Sequence, residues 1–332
     1  MLKIVLIALA MLSIAVFAQD PNLHIYIAYG QSNMAGVGPT MDMDFHQDPR
    51  FLVMRAAKFS DQEVGEFYPA APPMANSMSS IGIVDFFGRK MVQELPDSIR
   101  VAVADVSIGG QSIDLFDKDR NTAYVHRLLN SSNTWVIPLL LEYGGNLHQR
   151  IVELGKIAKK KGVIKGFLFH QGEADAQMED WPERVKKVYD DLIKEIGLDP
   201  KKTPILIGEL VPNGDMAWRN NAVKEAADLI PNGHLISSQG CLGFTEKYTD
   251  DLTCVLHFTR EGYETLGYRY ADKMLELLKN PIDFDSAEAS VRAVEVTKPK
   301  LFYDYKQHAI YACFKKHGKD FYYQLTGRRK NE

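Results

Sequence analysis

The sequence predicts an α/β protein. It has three layers, α/β/α, with a mostly parallel sheet in the middle and a small strand-rich C-terminal extension. Three observations point there. Short apolar runs, each followed by a polar or glycine-bearing cluster, alternate with segments of helical period. The runs are apolar at nearly every position, as strands buried on both faces of a parallel sheet are. After about residue 281 the helical period stops, and the chain becomes aromatic and basic.

The first eighteen residues, "MLKIVLIALAMLSIAVFA", carry an early lysine, a continuous apolar stretch and a small-residue end at Val16-Phe17-Ala18. This is the pattern of a secretory signal peptide cleaved before Gln19. Its apolar core is short for a membrane span of ~20 residues. The expected organisation is therefore a signal peptide over 1–18, a main domain over 19–282 and an extension over 283–332. The mature protein is expected to be secreted or periplasmic and free of the membrane.

Strands are expected at "LHIYIA" (23–28), "RVAVADVS" (100–107), "GFLFH" (166–170), "TPILIGELV" (203–211) and "HLISSQ" (234–239). Helices are expected at 83–95, 146–162, 181–197, 220–230 and 260–280, where apolar residues recur at i, i+3, i+4 with charges opposite. In such sheets ligands bind at the carboxyl ends of the strands. Ser32, Gly109-Gly110 and His170-Gln171-Gly172-Glu173 each follow a strand directly, so three polar clusters converge on one rim.

A net charge of −4 gives no basic excess to neutralise phosphates and excludes nucleic acid as an expected partner. Cys241 and Cys254 could pair in an oxidising compartment, leaving Cys313 free, or remain buried thiols. H-x-x-E occurs at His170–Glu173, but no second histidine follows at metal-ligand spacing, and neither metal nor cofactor is expected.

Each rim residue also has a bland reading. Ser32 is a good helix cap, Gly109-Gly110 an ordinary turn, His257 a capping or core histidine, and Glu173 an arginine's partner. Together they make the parts of nucleophilic acyl transfer: a hydroxyl, a base, an acid that orients it and donors for an oxyanion.

"YGQSNM" (29–34) resembles the first block of the SGNH hydrolases, in the variant where G-D-S becomes G-Q-S-N. "SIGGQSI" (107–113), "GFLFHQGEADA" (166–176) and "HFTREGYETLGYRYAD" (257–272) resemble the later blocks. In this order they resemble the carbohydrate acetylesterases that include acetylxylan esterases and sialate O-acetylesterases. The resemblance implies an SGNH/flavodoxin-like fold, with Ser32 as nucleophile and His257 as general base. It implies Gly110 (backbone N–H) and Gln171 (side-chain amide) as oxyanion donors, with the Ser32 N–H as a third.

One position departs. Many members carry an aspartate three residues before the histidine, and here that residue is Cys254. Glu173 is the expected acid, resembling a glutamate some relatives use; Asp251, or its neighbour Asp250, is the alternative. The expected substrate is an acetylated oligo- or polysaccharide, xylan before sialic acid. A short-chain esterase or lipase would need an apolar acyl channel, which nothing in the sequence marks. A sugar-binding homologue without the acid is the reading of another class.

Overall fold

The computed structural model describes residues 19–280, except 60, 132–134, 250–251 and the side chains of 248, 249 and 252. The expected signal peptide, the extension over 283–332 and Asp251 lie outside the described residues.

Seven strands form one sheet: β1 (Asp20–Gly30), β2 (Phe51–Met54), β3 (Phe67–Pro69), β4 (Arg100–Ser107), β5 (Gly162–His170), β6 (Ile205–Gly208) and β7 (Gly233–Ile236). Their order is β3-β2-β4-β1-β5-β6-β7, and all neighbours are parallel except β3 on β2. The helices are α1 (Ser32–Ala35), α2 (Ile83–Glu94), α3 (Asn121–Leu129), α4 (Val136–Glu142), α5 (Leu147–Lys161), α6 (Trp181–Ile196), α7 (Asn220–Leu229) and α8 (Arg260–Lys279). A separate antiparallel pair, β8 (Glu246–Thr249) and β9 (Leu252–Cys254), precedes α8.

Strand alternation sends β1 into two cores. Ile25, Ile27 and Tyr29 pack with α5 and α6 residues such as Ile151, Leu154 and Val188. Tyr26 and Ala28 pack on the other face with Phe87 of α2 and Leu266 and Tyr270 of α8. Complete burial of side chains of this size contributes about 1.5–3 kcal/mol each, so sheet and helices are not separable parts. This is the three-layer α/β arrangement the periodicity predicts.

The chain leaves β1 towards β4 and β2 and later returns to β1's other side at β5. Strand order thus reverses beside β1, where doubly wound sheets bind ligands. The register sharpens this. Gly30 stands opposite both Ser107 of β4 and His170 of β5, so three central strands end at one level. Cys241 and Cys254 are both buried, and no disulfide joins them.

Candidate active site

Gly30 lets the chain turn out of β1. A Cβ there would meet the carbonyl oxygen of His170 at 2.1 Å, so only glycine lets β1 and β5 approach this closely at the rim. The Gln31 N–H then donates to that same carbonyl at 3.1 Å. Ser32 opens α1 immediately afterwards.

Asn33 fastens this turn from below. Its fully buried amide donates to Glu173 Oε1 (2.7 Å) and to the Leu256 carbonyl (2.9 Å), and its oxygen accepts from the Tyr263 hydroxyl (2.8 Å). One side chain therefore joins the serine turn to the segments that carry Glu173 and His257.

His257 arrives from the opposite direction. Residues 242–246 run antiparallel to 254–259: the Phe244 N–H donates to the His257 carbonyl (3.1 Å), and Thr259 N–H donates to the Leu242 carbonyl (2.8 Å). The loop after β6 braces the pair, with Asp215 Oδ2 accepting from Val255 N–H at 2.7 Å. Thr259 caps α8 by accepting from Gly262 N–H at 3.1 Å, fixing the exit from the histidine.

The result is a linear relay. His257 Nε2 lies 2.7 Å from Ser32 Oγ, and His257 Nδ1 lies 2.6 Å from Glu246 Oε2. A carboxylate only accepts, so Nδ1 carries the proton and Nε2 is left to accept from the serine. This is the geometry in which an imidazole takes a hydroxyl proton while a carboxylate steadies the cation formed.

The relay faces a cavity of ≈280 Å³. One wall stands on the β4 side: Gly109-Gly110, the loop 76–79, and Trp135 and Leu139 at α4. The other stands on the β5 side, with Glu173, Ala174, Leu256 and His257. Gly110 has φ +67°, a left-handed conformation that glycine adopts without strain. Among the described residues, neither Ser32 N–H nor Gly110 N–H donates to another protein group.

A sequence profile described as "Carbohydrate esterase, sialic acid-specific acetylesterase" matches residues 22–276. The chain belongs to this family. This carbohydrate esterase is accordingly a carboxylic ester hydrolase of SGNH type. Its fold is similar to that of a protein from Arabidopsis thaliana (TM-score 0.55, 20% identity, covering 79% of this chain and 100% of that one). It is equally similar to NanS (TM-score 0.55, 15% identity, covering 78% of this chain and 98% of that one).

The esterase brings together some of the residues expected from sequence and not others. Ser32 and His257 meet, and Gly110 lines the cavity beside them. Glu173 also lines the cavity, but its Oε1 is taken by Asn33, and the carboxylate on His257 is Glu246. Gln171 is displaced from the oxyanion position expected of it. It is fully buried behind the rim, where its amide donates to Asp175 Oδ2 (2.7 Å) and the Gln111 carbonyl (3.2 Å) and accepts from Trp181 Nε1 (2.6 Å). Among the described residues, the aromatic ring that lines the cavity beside these groups is that of Trp135.

Glu246 was not legible as a site residue, since "GFTEKYTD" reads as a polar loop. The signal was indirect. In the β8–β9 register Glu246 stands directly opposite Cys254, the position where the family's aspartate is missing. The carboxylate comes from the neighbouring strand.

Behind the rim, burial pushes the His170 pKa down, and its Nε2 lies 3.0 Å from the Glu209 carbonyl. The ring is neutral and outside the relay. Burial pushes the Asp175 carboxyl up. Asp117, Asp119 and Asp191 lie close enough together to suggest a cation site. Lys187 Nζ already fills that place, 2.7–2.9 Å from all three.

Proposed function

We propose that this esterase removes O-acetyl groups from carbohydrate through an acetyl-enzyme. Ser32 Oγ bonds to the ester carbonyl carbon while its proton passes to His257 Nε2. The carbonyl oxygen becomes an oxyanion against the N–H groups of Ser32 and Gly110. Its collapse breaks the bond to the sugar oxygen, which takes the proton from His257. Water then adds to the acetyl-enzyme, giving its proton to His257; the returned proton restores Ser32 and acetate leaves. Glu246 is the positioning residue, holding the imidazole tautomer and stabilising the imidazolium.

The observation that carries this reading is the relay of 2.7 and 2.6 Å opening onto a cavity. Among sugars, acetylated xylan is the first substrate. Among the described residues, the cavity lining holds one carboxylate and no lysine or arginine, which suits a neutral sugar better than one bearing a carboxylate. O-acetylated sialic acid is the second, favoured by the description of the family.

Export agrees with a polymeric extracellular substrate. Gln19, the residue expected to become N-terminal, donates from its side chain to the carbonyls of Lys159 (3.0 Å) and Gly162 (2.8 Å), so the fold is tied down at the expected cleavage point. Among the described residues no helix is long and apolar enough to cross a membrane.

The test is acetate release from acetylated xylan and from O-acetylated sialic acid by wild type and Ser32→Ala. Release from xylan that Ser32→Ala abolishes supports the reading. Release from sialic acid alone would reverse the substrate order, and silence on both would overturn the function.

A further inference from the structure

Gln31 stands one residue before the nucleophile and lines the cavity, yet it is only 3% exposed. It is the N-cap of α1, where a side chain ordinarily accepts from the first turn, but it makes no such bond. Its oxygen is held elsewhere, since Ala174 N–H donates to Gln31 Oε1 at 3.4 Å. An N–H needs an acceptor, so this contact fixes which end of the amide is which. Nε2 is the end left over. Among the described residues it donates to no protein group, and it is not sealed away as the buried Glu173 Oε2 is. It opens on the cavity.

Neighbouring side chains of the lining are engaged within the protein. The Asn76 amide donates to the Ser107 carbonyl (2.7 Å), Ser79 Oγ to the Asn76 carbonyl (2.8 Å), and Glu173 Oε1 accepts from Asn33 (2.7 Å). A half-satisfied amide in so buried a place is unfavourable, and a catalytic partner is one reason for a fold to keep it. The oxyanion forms over Ser32. From the β4 side Gly109 abuts that residue, because a Cβ on it would lie 3.3 Å from Ser32 Cβ, and Gly110 follows with its N–H. On the β5 side the expected donor, the Gln171 amide, is turned inward to Asp175. Gln31 is anchored on that same side at Ala174 and carries the same kind of group, an uncharged donor.

We propose that Gln31 Nε2 is the third oxyanion donor, in the part expected of Gln171. This rests on the acetyl-enzyme reading above and deepens it by naming a further catalytic residue of the same site. The covalent steps are unchanged. As Ser32 Oγ bonds to the acetyl carbon, the second electron pair of the C=O bond moves onto oxygen. That oxygen accepts from Gln31 Nε2 as well as from the N–H groups of Ser32 and Gly110. Collapse returns the pair to the C=O bond, and the alcohol leaves with the proton from His257.

The test uses the full chain with 4-methylumbelliferyl acetate and the variants Gln31→Met and Gln31→Glu. Methionine keeps the length of the side chain without a donor. Glutamate keeps an acceptor for Ala174 N–H, again without a donor. Both are expected to lower kcat by about 10²-fold with KM little changed. A trifluoromethyl ketone, which Ser32 Oγ converts to a tetrahedral oxyanion, is expected to bind more weakly by a similar factor, because the donor acts on the charge only once it has formed. Urea unfolding of each variant gives the folded fraction to which kcat is referred. A wild-type kcat in Gln31→Glu overturns the donor, as does a change in KM alone or an unchanged affinity for the ketone. A loss in Gln31→Met that is absent in Gln31→Glu would make Gln31 an anchor for Ala174 and overturn it too. A wild type inert on the aryl acetate and on acetylated sugars overturns the esterase reading and this inference with it.

Discussion

Glu246 Oε2 lies 2.6 Å from His257 Nδ1, while Glu173 spends its Oε1 on Asn33 at 2.7 Å. Two glutamates at one site therefore hold different partners, one His257 and the other Asn33 of the serine turn. Glu246→Gln should lower kcat about 10²–10⁴-fold with KM little changed, and Glu246→Asp should recover part of that loss. Glu173→Gln keeps an acceptor for Asn33 and should cost less than about tenfold. Steady-state kinetics on an acetyl ester decides between them; the reverse ranking would return the orienting role to Glu173.

Asn33 is fully buried and bonds to Glu173, to the Leu256 carbonyl and to Tyr263. Asn33→Ala leaves those partners unsatisfied without opening the surface. A loss of about 2–4 kcal/mol in urea unfolding is expected, with kcat reduced as the Ser32 turn loosens. An unchanged unfolding midpoint would mean that the turn is held by its backbone alone.

Gly110 sits at φ +67° beside Ser32 in the cavity wall. Gly110→Ala disfavours that conformation by about 1–2 kcal/mol and turns its N–H away from the oxyanion. The expected result is a fall in kcat of about 10²-fold at nearly constant KM. A KM effect alone would place Gly110 in substrate binding instead.

Burial, with smaller repulsion from Asp85, pushes the Asp105 carboxyl up to about 8, against an ordinary value of 3.8. Between these values the folded state keeps a proton that the unfolded chain has released. Its stabilising contribution is full below the unfolded value, falls as pH rises through this window and is gone above about 8. Thermal unfolding should therefore show Tm falling more steeply from about pH 5 to about pH 9 in wild type than in Asp105→Asn. Parallel curves would mean that Asp105 is ionised in the fold.

The sheet was legible where strands are buried on both faces. "RVAVADVS" coincides with β4, and the five expected helices match α2, α5, α6, α7 and α8 to within about two residues at each end. What escaped was short or one-sided: the edge pair β2 and β3, the brief α3 and α4, and the β8–β9 hairpin. At the site, Ser32 and Gly110 were legible as part of clusters that follow a strand, and the resemblance of their sequence blocks to the family's picked them out together with His257. Glu246 was not, because its placement depends on register across a hairpin, and a two-stranded pairing leaves no periodicity to read. Gln171 escaped for another reason. Sequence places it at the rim, and only packing turns its amide inward to Asp175.

The pairing of His257 with Glu246 has a consequence for how this enzyme can change. In the arrangement with an aspartate three residues before the histidine, acid and base share one stretch of backbone. Here they sit on opposite arms of an antiparallel pair, so an insertion or deletion between the arms shifts one past the other. A one-residue slip would turn Glu246 to the opposite face and strand His257 without its partner, while the seven-stranded sheet and Ser32 stayed as they are. In this chain the register of β8 on β9 decides whether His257 has a carboxylate beside it.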